Sequence, residues 1–150
     1  MKTDLTVAGY IFCDNKLLLI KHKKLGLWLP VGGHIEKDET PDESLIREAK
    51  EEVGLDIHLL KSFTIHHSAQ ELEQLAIPFY TNLHNVGNHN HYCSFYLCES
   101  LHPHYNINKD EVLAASWFSR ENLDLRGPIL EGELHILAFK RYGEMKHAMD

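Results

Sequence analysis

Residues Leu5 to Cys13 form a run rich in β-branched and aromatic side chains, which predicts a strand. Asp14-Asn15 is a turn signal, and Lys16 to His22 predicts a second strand, so the two form a hairpin. A basic loop, Lys23 to Gly26, leads into a short apolar segment, Leu27 to Val31, that ends in Gly32-Gly33. The periodicity then changes. Leu45, Ile46, Ala49 and Val53 share one arc of a helical wheel, about 100° wide. Thr40-Pro41-Asp42-Glu43 supplies an N-cap threonine, a first-turn proline and the glutamate of a capping box, and Gly54 supplies a stop. This predicts a helix from about Pro41 to Val53. Downstream, strands are expected over Asp56–Ile65, Leu75–Leu83, His91–Cys98 and Leu113–Phe118. Ser68-Ala69-Gln70-Glu71 suits a short helical turn, Asn85 to Asn90 a turn, and Ser119 a further cap. A terminal helix is expected from about Glu131 to Lys146 despite Gly132. The order of strands, helix, strands, helix, without repeat or linker, points to one layered α/β (α+β) domain over residues 1–150.

A chain of 150 residues buries a full core without disulfides or a structural metal. Acids outnumber bases 22 to 15, and the net charge is -7 with histidine neutral. That balance argues against long nucleic acid or a membrane surface as partner, because both need a basic face. A small anionic ligand stays open, since a bound divalent cation reverses the local field. The charge is concentrated: Glu36 to Glu52 holds eight acids against Lys37, Arg47 and Lys50. Cys13, Cys93 and Cys98 are an odd count without a CxxC, which suits reduced thiols in a cytoplasmic protein. No apolar run approaches a membrane span, and the N-terminus does not read as a signal peptide.

Within the acidic window, Glu48 and Glu52 are four residues apart and Glu51 is three from Glu48, so all three reach one side of the helix. Glu48 and Glu52 adjoin the apolar arc and should lie along the helix–core border. Three crowded carboxylates repel one another, and a helix gains nothing from that alone. Oxygen-rich clusters of this kind suit Mg²⁺ or Mn²⁺. Arg47, four residues from both Glu43 and Glu51, is the cation placed to hold the acids. The bland alternative is a solvated helix face with paired charges. It leaves unexplained why the cluster coincides with a diglycine, a capped helix and a matching arginine.

The segment reads Gly33-x5-Glu39-x7-Arg47-Glu48-Ala49-x-Glu51-Glu52-x-Gly54-Leu55, nine specified positions in register. In this the chain resembles the Nudix hydrolase superfamily, with MutT-like members, and the strand pattern on both sides is similar too. The resemblance implies an α/β/α sandwich with a mixed sheet between helices. It also implies a divalent-metal-dependent hydrolase that cleaves a diphosphate bond in a nucleoside diphosphate linked to another moiety. By the same resemblance, Glu39 pairs with Arg47, while Glu48, Glu51 and Glu52 bind Mg²⁺ (or Mn²⁺) together with the backbone carbonyl of Gly32. Glu111, six residues before Trp117-Phe118, is the candidate for a distal metal ligand or general base, with Asp110 as its neighbour; Glu48 is the other contender for the base. The usual proline before the diglycine is Val31 here, with Pro30 one residue earlier. A homodimer is left open, and neither Pro78 nor Tyr80 identifies a substrate subgroup.

Twelve histidines is a high count, and His84, His89, His91, His102 and His104 crowd one stretch. His89-x-His91 shares one strand face, so a transition-metal site is one reading and ordinary surface histidines the other. His34, directly after the diglycine, is a candidate substrate contact by position; His66-His67 has no assigned role. Cys93 and Cys98 read as buried small hydrophobes. Trp28, Trp117, Phe79 and Tyr80 read as core, although an aromatic on the later strands could stack on a nucleobase. Three competing functions remain. One is a non-catalytic Nudix-like nucleotide-binding module, which usually loses the carboxylates retained here. Another is an isomerase-type relative acting on isopentenyl diphosphate. The last is a histidine-rich metal-binding protein.

Overall fold

The computed structural model describes residues 1–65, 69–123 and 129–149. His66, His67 and the proposed cap Ser68 lie outside the described residues. The elements are β1 (Thr3–Cys13), β2 (Lys16–His22), β3 (Trp28–Leu29), β4 (Val31–His34), α1 (Pro41–Val53), β5 (Ile57–Leu59), β6 (Tyr80–Asn85), β7 (Asn90–Ser100), β8 (Val112–Phe118) and α2 (Ile129–Met149), with a short 3₁₀ turn at Arg120–Asn122 capped by Ser119.

Asp14 and Asn15 both adopt positive φ (51° and 60°), the conformation that closes the β1–β2 hairpin with two residues. β1 and β2 then splay apart. β3 pairs with the far half of β2, and β4 with the first half of β1, so the segment Trp28–His34 fills the wedge between them. β1 runs parallel to β7, and the other pairings are antiparallel, which makes a mixed sheet.

The apolar runs of β1, β2 and β7 serve both faces, as expected of strands covered on two sides. Val7, Ile11, Leu18, Ile20, Tyr96 and Cys98 pack with Leu45, Ala49 and Val53 of α1. Ala8, Tyr10, Phe12, Leu17, Leu19, Cys93, Phe95 and Leu97 pack with Ala138 and Tyr142 of α2. The result is an α/β/α sandwich. α2 is anchored by Phe12 stacked on Tyr142 at 4.0 Å and by the Tyr10 hydroxyl against His135 Nδ1 at 2.8 Å. α1 lies close on β1: a Cβ on Gly9 would meet Leu45 Cδ2 at 2.9 Å and Cys98 Sγ at 3.2 Å.

Two expected strands are shorter than their sequence suggests. The strand at Asp56–Ile65 is limited to Ile57–Leu59, with one further bond from Leu60 N to Leu97 O at 2.8 Å, and Phe63 and Ile65 are exposed. The Gln74 side chain takes the place of a strand partner there, accepting from Ile65 N and donating to Phe63 O. The Leu75–Leu83 segment becomes a strand only at Tyr80, because Ala76 N instead donates to the buried Asp42 Oδ2 at 3.1 Å. The other expected strands and both expected helices are present, while Ala69 and Gln70 form a turn and not the expected helical one. The terminal helix extends to Ile129–Met149, and among the described residues no helix is long and apolar enough to cross a membrane.

Candidate active site

The capping box forms as the sequence predicts: Thr40 Oγ1 accepts from Glu43 N, and Glu43 Oε1 accepts from Thr40 N. Gly54 closes α1 in the left-handed conformation (φ 67°). The helix is thereby fixed in phase over the sheet, and its buried stripe is not purely apolar. Glu52 is only 7% exposed and the Glu48 side chain 13%, whereas Ile46, expected on the apolar arc, is 44% exposed. Positions 45, 48, 49, 52 and 53 follow the spacing of a packed helix face. The acids at 48 and 52 are thus part of the inward stripe rather than its border.

Two glycines make room for them in different ways. A Cβ on Gly32 would strike the backbone oxygen of Val7, so Gly32 permits β4 to approach β1. A Cβ on Gly33 would occupy the space of the Glu48 carboxylate. Gly33 is a cradle for that acid.

Arg47 joins the parts. Its Nε and Nη2 donate to both oxygens of Glu39 at 2.7 and 3.1 Å, a bidentate fork. Nη2 also donates to the His34 carbonyl at 3.0 Å, and Nη1 donates to Glu48 Oε1 at 3.0 Å and Glu51 Oε2 at 3.2 Å. Glu43 stays in the capping box. The guanidinium holds the Glu39 carboxyl down to about 2. Glu52 behaves in the opposite way: burial, then the adjacent Glu48 carboxylate and more distantly Glu111 and Glu51, push its carboxyl up to about 9.

Glu111 reaches this neighbourhood because its loop docks on the end of α1. Asn106 N donates to Val53 O at 2.8 Å, Asn108 N to Glu52 O at 2.9 Å, and Glu111 N to Asn108 O at 3.0 Å. Glu111 itself is exposed, as is Asp110. The structure therefore joins Gly33, Glu39, Arg47, Glu48 and Glu51 by direct contacts along α1, with Glu52 beside Glu48 and Glu111 on the loop docked at the C-terminal end of the helix, while Gly32 packs against β1. His34 contributes its carbonyl to that assembly, while its ring stands with Asp4, His89 and His91. Sequence reasoning missed Ser44, whose hydroxyl donates to the His34 carbonyl at 3.2 Å, and Asp42, which fixes Ala76. A small polar residue on the inner turn of a helix is the only sequence signal either leaves.

Glu39, Glu48 and Glu51 share the Arg47 guanidinium, and Glu52, buried beside Glu48 and outside that network, resists ionisation without further positive charge. That donor set, all hard oxygens with a cradle for Glu48, fits a divalent cation held by Glu48, Glu51 and Glu52. Trp28 and Trp117 pack at the core margins, and Trp117 Nε1 donates to Pro103 O at 2.8 Å.

The chain is similar to known proteins at three levels. It is 36% identical over 62 residues to the 8-oxo-dGTP diphosphatase of Proteus vulgaris (37% of this chain, 55% of that protein). It is 48% identical over 52 residues to the ADP-ribose pyrophosphatase of Methanocaldococcus jannaschii (33% of this chain, 31% of that protein). The matched part is thus about half the length of the first relative and under a third of the second. A crystal structure of a NUDIX-family hydrolase from Clostridium perfringens superposes with a TM-score of 0.78 at 30% identity, over 95% of this chain and 99% of that one. The family model described as NUDIX domain matches residues 2–139, so the chain belongs to the NUDIX domain family.

Proposed function

We propose that this protein is a divalent-metal-dependent hydrolase that cleaves a diphosphate bond in a nucleotide or nucleotide derivative. The observation that carries the reading is the grouping of Glu48, Glu51 and Glu52 on one side of α1, with Glu52 buried and Glu48 seated against Gly33 and clamped by Arg47. Glu48, Glu51, Glu52 and the Gly32 carbonyl would hold Mg²⁺ or Mn²⁺, which would supply the positive charge that offsets the diphosphate and the charge developing at phosphorus. Arg47 and Glu39 keep Glu48 oriented. Glu48 or Glu111 accepts the proton of the attacking water. In the metal-free protein burial keeps Glu52 a neutral acid, and a bound cation would favour its carboxylate form.

The test is a panel of nucleoside triphosphates, oxidised nucleotides, ADP-ribose, nucleotide sugars, dinucleoside polyphosphates and dinucleotide coenzymes, assayed with Mg²⁺ or Mn²⁺. Turnover of at least one diphosphate that stops on chelation is expected. Silence across the panel, with nucleotide still bound, would support the binding module instead. The two glycines provide an internal comparison. Gly33→Ala should lower the metal-dependent rate by roughly a hundredfold, because Glu48 must move. Gly32→Ala should lower the melting temperature more than Gly33→Ala does, as β1 and β4 part. Equal effects of both on both readouts would contradict the cradle.

A further inference from the structure

We propose that Asp4, His34, His89 and His91 form a binding site for one transition-metal ion of the zinc class, separate from the carboxylate cluster of α1. The sheet builds the site. Asp4 is the register partner of His91 across the parallel β1–β7 ladder, and His34 is the partner of Thr6, two residues along from Asp4. His89 precedes His91 by two. Side chains two apart share a face, so all four lie on the same side of the sheet. It is the face of Ala8, Cys93 and Phe95, opposite to the one on which Gly33 receives Glu48.

The ligand atoms already converge. His34 Nε2 and His89 Nε2 each lie 3.3 Å from Asp4 Oδ2, His89 Nε2 lies 3.1 Å from His91 Nε2, and all four atoms fall within 4.8 Å of one another. Zinc bonds to nitrogen and oxygen of about 2.0–2.1 Å imply ligand-to-ligand edges of roughly 3.3–3.4 Å in a tetrahedron. Three of the contacts stand close to that length before any ion is placed. The surroundings also suit ligation. His89 Nδ1 donates to Asn88 Oδ1 at 2.6 Å, which leaves its Nε2 lone pair facing the cluster. Lys2 Nζ holds the other oxygen of Asp4, at 3.3 Å. An ion at this point would take the place of the proton shared in the contact between His89 Nε2 and His91 Nε2. Three imidazoles and one carboxylate favour zinc, cobalt, nickel or copper over magnesium. Four protein ligands close the coordination shell, so the ion serves as a clasp between β1, β4 and the β6–β7 hairpin rather than as a catalyst.

The experiment is titration of the metal-free full chain with Zn²⁺ against a chromophoric chelator, with millimolar Mg²⁺ present. One tight equivalent is expected, accompanied by a rise in melting temperature and unaffected by Glu52→Gln. Co²⁺ should give the intense visible bands of a tetrahedral complex. His34→Gln, at a ring 56% exposed and so tolerant of change, should weaken binding at least about tenfold. The His89→Gln/His91→Gln pair should abolish it, with circular dichroism confirming the fold. No tight equivalent in the wild type, binding that survives the double substitution, weak octahedral Co²⁺ bands, or competition by Mg²⁺ would each overturn the site.

Discussion

Glu52→Gln is expected to lower metal-dependent hydrolysis by roughly a thousandfold or more, the loss of several kcal/mol of transition-state charge stabilisation. The fold should survive, because glutamine is isosteric with the neutral acid that burial already favours at this position. The variant also has a pH signature. The folded-state carboxyl of Glu52 is raised to about 9 from an ordinary value of 4.5. The folded metal-free protein therefore holds a proton that the unfolded chain releases across that interval. Its stabilising contribution is full below the unfolded value and is lost as pH rises through the folded one. Melting temperatures of the metal-free wild type should fall across this window more steeply than those of Glu52→Gln. A divalent cation should recover the wild type at the alkaline end and leave the variant nearly unmoved. Full activity in Glu52→Gln, or parallel melting profiles, would remove Glu52 from the metal-binding role.

The inward stripe of α1 explains why so much of the candidate site was legible. Leu45, Ala49 and Val53 set the phase of the helix, and Glu48 and Glu52 fall in that phase by spacing alone. Their depth was less legible. The apolar arc placed Ile46 inward and the acids at its margin, whereas the space opened by Gly33 lets Glu48 enter and leaves Ile46 outside. A glycine records room for a neighbour without saying which neighbour fills it. Pairing across the sheet was equally hidden. His89-x-His91 showed a shared face, but that Asp4 and His34 join them depends on the β1–β7 and β1–β4 registers. Nothing local to Asp4 encodes these. The over-long strand expected at Asp56–Ile65 failed for a related reason: alternation suits an edge strand, yet Gln74 satisfies the backbone there instead.

Arg47→Ala should be the most damaging single change to the stability of the site. The Arg47 side chain is 22% exposed, and its carboxylate partners Glu39 and Glu48 are 14% and 13% exposed. Removing the guanidinium leaves two largely covered acids without their cation, although Glu36 N still donates to Glu39 and the Ser44 hydroxyl to the His34 carbonyl. Allowing for partial solvent access, the cost is about 2–3 kcal/mol. For a domain of this size that lowers the melting temperature by roughly 5–10 °C. Activity should fall as well, by about a hundredfold, because Glu48 loses the contact that orients it against Gly33. Arg47→Lys should recover part of the stability, since it keeps the charge, but little of the activity, since an ammonium cannot bridge both Glu39 oxygens and the His34 carbonyl. Acid separates this account from a general loss of packing. In the wild type, Arg47 lowers Glu39 to about 2 from 4.5, so the pair contributes fully above the higher value and is lost as pH falls toward the lower. The gap in melting temperature between wild type and Arg47→Ala should accordingly narrow over that interval. A gap that stays constant down to pH values near the lower limit would mean that Arg47 acts through its bulk and not through its charge.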